Sequence, residues 1–306
     1  MRNVTAVDLF AGLGGLTQGA VQAGVKVLWA GNHLPAAVDF HAQNHPEIGH
    51  GCQDHHQQNF HELPDFDLAL GAPCCQGHSK SRGKEKAWHE ASRATAWAVI
   101  QLLAAKRPPL ALFENIPDFR TWDLLPAWEH AVQLMGYSIG YNVWDAADSG
   151  APQNRVRLLI VLTKTKAPLL IKPRGCAHRP ISEVIQWDRY SWQPIAKKVW
   201  NTRQRVQNAR RDGYGERFIM PYYGSGSGLT GRSIHRPIGT LTTRARWGVV
   251  DGDRMRMLHP HEGKGAMTFP PDYKLPSNVA LANYLLGNAV CPAQAEDAIT
   301  TLLRCA

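Results

Sequence analysis

The residues best suited to chemistry in this chain lie in Gly71-Ala72-Pro73-Cys74-Cys75-Gln76-Gly77-His78-Ser79. The apolar run Phe66-Asp67-Leu68-Ala69-Leu70 before them reads as a buried strand. A thiol just past a strand end stands on a rigid base with its sulfur accessible, as a nucleophile requires. Two adjacent cysteines can equally be small buried hydrophobes, the usual fate of a free Cys. Glu114-Asn115-Ile116 repeats the arrangement with a carboxylate, placed at the carboxyl end of the strand Pro109–Phe113. A third candidate is the glycine turn Ala11-Gly12-Leu13-Gly14-Gly15, which follows the strand Val4–Phe10. Glycines let backbone approach a ligand closely, and the helix start that follows offers free N–H groups.

These three groups have to be held by alternating strands and helices. Leu16 to Ala23 reads as a helix closed by Gly24, and Val25–Ala30 as a strand. Pro35 opens a second helix that runs toward Asn44. Ala94, Trp97, Ala98, Leu102 and Ala105 fall at helical spacing and mark core, as do Leu125, Trp128, Val132 and Met135. Arg157–Leu162 is a strongly apolar strand. The rhythm predicts an α/β fold with a doubly wound, mostly parallel sheet. In such sheets ligands bind outside the carboxyl ends of the strands, where all three groups fall. Gly12-Leu13-Gly14-Gly15 does not have the GxGxxG spacing of the dinucleotide fold.

At 306 residues the chain has room for one large domain, or one large and one small. With 44% hydrophobic and 19% charged residues it should bury a real core and is not a disordered chain. It has no apolar run of membrane-spanning length and no basic-then-apolar start, so a cytoplasmic protein without membrane attachment is expected. Its six cysteines show no CxxC pairing, which argues against a zinc site or a disulfide framework. The net charge of +9 points to a polyanionic partner.

Taken together the motifs resemble the cytosine-C5 DNA methyltransferases. Asp8-Leu9-Phe10-Ala11-Gly12-Leu13-Gly14-Gly15 looks like that family's first motif, and Pro73-Cys74-Cys75-Gln76-Gly77-His78-Ser79 its nucleophile loop. Glu114-Asn115-Ile116 resembles its ENV motif and Gln153-Asn154-Arg155-Val156-Arg157 its QxRxR motif. Arg236–Arg244 is similar to the segment after the recognition region, and Gly287-Asn288-Ala289-Val290 to the final GN(A/S)V motif. The six occur in the family order. The resemblance implies a Rossmann-like methyltransferase domain over 1–163 plus 279–306, and a smaller, irregular DNA-recognition domain over 164–278.

The resemblance further implies methyl transfer from S-adenosylmethionine to carbon 5 of a cytosine flipped out of duplex DNA. Cys75 would be the nucleophile and Glu114 would meet ring nitrogen 3 and the exocyclic amine. Arg155 and Arg157 would hold the cytosine carbonyl and nearby backbone. Phe10, Ala11, Gly12, Gly14, Asn32, Asp54, Pro73, Asn288 and Val290 would border the cofactor. Gln76 and Ser79 would face DNA, and no metal is expected. A tRNA cytosine methyltransferase and a catalytically weak DNA-binding relative are the alternatives. A bacterial or phage-encoded, monomeric enzyme is expected, nucleoid-associated when on DNA and suited to a restriction-modification system.

Two departures from the family pattern stand out. The usual loop is Gly-x-Pro-Cys-Gln-x-Phe-Ser; here one more residue separates Pro73 from Cys75-Gln76, and His78 replaces Phe. Counting from the proline picks Cys74, and counting back from Gln76 and Ser79 picks Cys75. The second register keeps the Cys-Gln pair and is preferred. After strand Val25–Ala30 the family places an acid for the ribose hydroxyls, whereas this chain has Asn32. An amide accepts one such bond without charge assistance, so weaker cofactor binding is expected.

From Lys164 to about Ser233 the rhythm stops. Pro168, Pro173, Pro180 and Pro194 interrupt it, and Trp187, Trp192 and Trp200 stand among Lys197, Lys198, Arg203, Arg205, Arg210 and Arg211. The arginines are candidate phosphate contacts, and Tyr222–Gly228 a candidate DNA-contacting loop.

Overall fold

Near-continuous apolar runs such as Leu68-Ala69-Leu70 and Leu158–Leu162 are what a sheet covered on both faces requires. The computed structural model describes residues 4–74, 87–222 and 229–305. The expectations for Cys75, Gln76, Ser79 and the stretch 223–228 fall outside the described residues. Two compact units form: Met1–Ser149 with Arg155–Cys176 and Ala289–Ala306, and Gly150–Asn154 with Ala177–Asn288.

In the first unit the order is β1 (Thr5–Leu9), α1 (Gly15–Gln22), β2 (Lys26–Asn32), α2 (Pro35–Asn44), β3 (Gly49–Cys52) and β4 (Leu68–Gly71). Then come α3 (Ala87–Ala94), α4 (Ala96–Lys106), β5 (Leu110–Asn115), α5 (Leu125–Leu134), β6 (Ser138–Asp145) and β7 (Val156–Thr163). The strands pair as β3-β2-β1-β4-β5-β7-β6. β1 to β5 are mutually parallel, while β7 runs antiparallel to β5 and to β6. The carboxyl end of β5 therefore meets the amino end of β7, with Asn115 opposite Leu158.

Strand side chains alternate between two cores. Val7, Leu9, Ala69, Ala111, Phe113 and Leu158 join Leu102, Trp128 and Val132 from α4 and α5. Ala6, Leu68, Leu70, Leu112 and Leu159 join Leu16 and Ala20 of α1 on the opposite face. The last helix of the chain also lies on that face, through Ala295, Ala298, Ile299 and Leu302. The sheet is thus doubly wound and mostly parallel, as expected.

The second unit is more regular than the proline-broken sequence led us to expect. β8 (Gln193–Pro194), α6 (Trp200–Arg211), β9 (Arg217–Pro221), β10 (Arg232–Ser233), β11 (Trp247–Asp251) and β12 (Arg254–Met257) are followed by α7 (Pro260–Ala266) and α8 (Val279–Asn288). Its strands form an antiparallel sheet, β10-β9-β11-β12-β8. Phe218, Met220 and Val250 pack on Val206 and Ala209 of α6. Their neighbours Ile219 and Val249 point the other way, into a core with Ile181, Ile234 and Ile238.

The unit boundaries differ from those expected, for local reasons. Residues up to Cys176 stay with the first unit: the Ile171 amide donates to Asn142 Oδ1 at 2.8 Å and the Cys176 amide to the Asp148 carbonyl at 2.7 Å. α8 packs on α7 and belongs to the second unit; the return to the first comes only at Ala289, before α9 (Pro292–Cys305). No helix among the described residues is long and apolar enough to cross a membrane.

Candidate active site

β1 delivers the glycine turn. Asp8 is fully buried and accepts a hydrogen bond from Thr17 Oγ1 at 2.8 Å; burial raises its carboxyl to about 7 against the ordinary 3.8, the Thr17 bonds opposing. Phe10 next to it has φ +58°, left-handed backbone that costs a bulky residue about 1–2 kcal/mol. Its N–H donates to His55 Nε2 at 3.2 Å, and its ring meets the His55 ring edge-on at 4.6 Å. The chain reverses into α1 through Gly14, at φ +95°. At Gly15 a Cβ would collide with the Val290 carbonyl oxygen, so only glycine lets the two segments approach this closely. Two expected site segments, the first and the last in sequence, are thereby in contact within one unit.

The neighbouring strand ends carry Asn32 and Asp54. Asn32 Oδ1 accepts the Leu34 amide at 3.0 Å, so this oxygen already caps its own turn. Asp54 is exposed, and its Oδ1 accepts the His56 amide at 3.0 Å, opening the short turn His55–Gln57.

β4 and β5 position the proposed chemistry. Asn115 is buried, and its Nδ2 donates to the Pro73 carbonyl at 3.1 Å, tying the end of β5 to the start of the cysteine loop. The Cys74 amide donates to Thr95 Oγ1 and Ser92 Oγ donates to Cys74 Sγ, both at 2.9 Å. Cys74 is thus anchored, backbone and sulfur, to the junction of α3 and α4. Glu114, 6% exposed, forms an ion pair through Oε1 with Arg157 Nε at 2.8 Å. Arg157 also donates from Nη1 to the Val156 carbonyl at 2.7 Å. Arg155 behaves differently: at 2% exposure its Nη2 donates to the Ala289 carbonyl at 2.7 Å, and its amide to Asp145 Oδ1 at 2.7 Å. It clasps the start of β7 to the segment that leads to Val290. Cys291, also fully buried, has its thiol pushed up to about 11 by burial, the mark of an inert core cysteine.

Gln153 and Asn154 belong to the second unit, where Gln153 Oε1 accepts the Leu241 amide at 2.7 Å and the Asn154 carbonyl accepts Thr240 Oγ1 at 2.9 Å. The glutamine of one motif therefore holds the Thr240-Leu241 stretch of another. Asn288 is exposed at the end of α8.

Among the basic candidates, α6 buries Thr202, Val206 and Ala209. Arg203 and Arg211 are exposed, Arg211 donating to Asn208 Oδ1 at 3.3 Å. The Arg205 guanidinium lies over the Tyr222 ring at 5.3 Å. Arg210 departs from the expectation. Its Nη2 serves Glu216 at 3.1 Å, the Gly252 carbonyl at 2.9 Å and Asp253 at 3.1 Å, so it is a tie within its own unit rather than a free cation for phosphate. Among the described residues no cluster of His, Cys, Asp or Glu could hold a metal ion.

Sequence reasoning missed His55, Ser92 and Thr95. The first had a faint signal, a His-His pair directly after Asp54; the other two stand in no motif.

The family model for C-5 cytosine-specific DNA methylases matches residues 4–304. Type II methyltransferase M.BsuFI of Bacillus subtilis is 27% identical over 94% of this chain and 69% of its own length. Type II methyltransferase M.NlaX of Neisseria lactamica is 27% identical over 93% of this chain and 91% of its own. Among solved structures, an E. coli prophage-encoded protein described as a candidate DNA modification methyltransferase superposes with a TM-score of 0.73 at 19% identity, covering 99% of both chains. With a family match over nearly its whole length, this chain belongs to the C-5 cytosine-specific DNA methylases.

Proposed function

We propose that the chain is a DNA (cytosine-5-)-methyltransferase that uses S-adenosylmethionine and a covalent cysteine adduct on a flipped cytosine. The observation that carries this reading is the junction of β4, β5 and β7. Glu114 is paired with Arg157 there, while Asn115 locks the proline that precedes the cysteine pair.

Carbon 5 of cytosine is a poor nucleophile. Addition of the Cys75 thiolate to carbon 6 sends the ring electrons to carbon 5, which can then take a methyl group. A base then takes the carbon-5 proton, and cleavage of the sulfur–carbon bond restores the ring and returns the thiolate. Glu114 meets ring nitrogen 3 and the exocyclic amine as the thiolate adds. Arg157 holds that carboxylate in place. Arg155 is a positioning residue, set by its bond to Ala289. Cys74 already has its sulfur and amide bonded to Ser92 and Thr95, which favours Cys75 over it as the nucleophile.

The residues around the glycine turn fit S-adenosylmethionine. At Gly12, φ +56°, a built Cβ would meet only the Phe10 carbonyl oxygen at 3.9 Å, so the turn offers bare backbone with room beside it. The Phe10 ring is half-buried, and the exposed Asp54 carboxylate suits an adenine amino group. Ala11, Gly14, Asn32, Pro73, Asn288 and Val290 complete the set carried over from the family motifs. When bound there, the cofactor supplies the electrophilic methyl group. The second unit would contact DNA through Arg203, Arg205 and Arg211.

Expression in a methylation-free host, followed by bisulfite sequencing of its DNA, tests the reading. A recurrent short site with protected cytosines is expected, and unmodified cytosines throughout would refute it. Trapping on a duplex that carries 5-fluorocytosine tests the adduct: Cys75→Ser abolishes the trapped species and Cys74→Ser retains it.

A further inference from the structure

We propose that His55 is a positioning residue of the cofactor pocket, holding Phe10 in its left-handed conformation through a neutral imidazole and making cofactor affinity fall in mild acid. The inference rests on the reading of Phe10 and Asp54 as cofactor-binding residues and extends it to the residue that joins them. His55 follows Asp54 directly, and reaches across 45 positions of sequence to Phe10.

The ring is buried and both nitrogens are engaged. Nδ1 lies 2.7 Å from Gln58 Oε1, and Nε2 accepts the Phe10 N–H at 3.2 Å. A side-chain amide oxygen can only accept, so Nδ1 carries the proton and Nε2 presents its lone pair to Phe10. A proton on Nε2 would turn this acceptor into a donor facing a donor. The Phe10 amide would lose its partner, and the left-handed turn its support.

The surroundings favour the neutral form. Burial is the largest influence and lowers the imidazole below its ordinary value; His33 adds to this. Asp54, the Gln58 amide and the Gly31 carbonyl act in the opposite direction. The rings of Phe10 and Trp29 meet His55 edge-on, at 4.6 and 6.0 Å, and bring no charge. At Gly31 a Cβ would sit 2.7 Å from His55 Cε1, so the strand end leaves the ring only the room it occupies.

The test is calorimetric binding of S-adenosylhomocysteine to the full chain from pH 5 to pH 8. It is paired with hydrogen exchange at the Phe10 amide. Wild type should bind progressively more weakly toward the acid end, with faster Phe10 exchange there after correction for intrinsic rates. His55→Ala should weaken binding about tenfold at pH 8 and unprotect the Phe10 amide. His55→Gln keeps an acceptor but cannot titrate, so it should restore most of the affinity and flatten the pH profile. Unchanged binding in His55→Ala, or the same acid step in His55→Gln, overturns the inference and leaves the cofactor reading intact. Wild type that binds at no pH overturns the cofactor reading, and this inference with it.

Discussion

Replacing Arg157 by Met removes the counter-charge of Glu114 while keeping most of the side-chain volume. The side chains are 11% and 8% exposed and 2.8 Å apart, so the pair is dry enough for its charges to count. With an effective dielectric near 20, attraction at this distance is about 6 kcal/mol, set against the desolvation of both groups. Removing one partner leaves a carboxylate desolvated without compensation, which typically costs about 3–5 kcal/mol. β5 and β7 are bonded to each other at this point, so hydrogen exchange of the Leu158 and Leu159 amides reads the loss locally. At about 1.4 kcal/mol per decade, their protection should drop by roughly two to three and a half decades. The double variant Glu114→Gln/Arg157→Met should regain most of it, because no isolated charge is left behind. Methyl transfer should be lost in both variants, which separates the structural role of the pair from its chemical one. A fall in protection of less than tenfold in Arg157→Met would show that solvent screens the pair as it does a surface bridge, and the argument from burial would fail.

Other outcomes follow from the same geometry. Gly15→Ala drives a methyl into the Val290 backbone, where neither partner is a flexible side chain. It should cost at least about 3 kcal/mol by denaturant unfolding, and an alanine variant of wild-type stability would contradict the close approach. Asp8 has its folded-state carboxyl raised to about 7, so its contribution to stability is present below the ordinary 3.8 and is lost as pH rises through about 7. Asp8→Asn should therefore flatten stability between pH 4 and 8, and an unchanged slope in that variant would refute the assignment. His41 bonds Thr17 Oγ1 at 3.0 Å, and burial holds it well below the ordinary histidine range. The unfolded chain then takes up the proton first, so stability falls as pH drops below 6.5, and His41→Asn should lessen that loss in acid urea titrations. In DNA-binding titrations, Arg203→Ala should lower the slope of log K against log salt by about 0.9 if that side chain neutralises one phosphate. Arg210→Ala should leave the slope unchanged and lower stability instead, since its partners are Glu216, Gly252 and Asp253.

Legibility in the sequence followed how local each cause was. β1, β5 and β7 are apolar runs whose burial on two faces is written in their composition, and α2 begins at the proline that announces it. β3 is Gly-His-Gly-Cys, with no β-forming signal. It is a strand because it pairs with β2, and at Gly51 a Cβ would strike the Trp29 ring. β8 and β10 have two residues each, too short for any alternation to register. The positions of Glu114 and the Gly12 turn, at and just past the ends of β5 and β1, were legible because each follows an apolar run. Arg155 and Arg157 stand two apart on the same motif, and sequence gives them one role. In the fold they meet different partners, one the Ala289 carbonyl and one the Glu114 carboxylate. His55 and Arg210 make the same point from opposite sides. The first has a type that motif reasoning passes over, yet its lone pair meets a strained backbone N–H; the second has the type expected for phosphate, yet two acids and a carbonyl of its own unit occupy it. Residue type limits what a side chain can do, and the partner supplied from distant sequence decides which of those things it does.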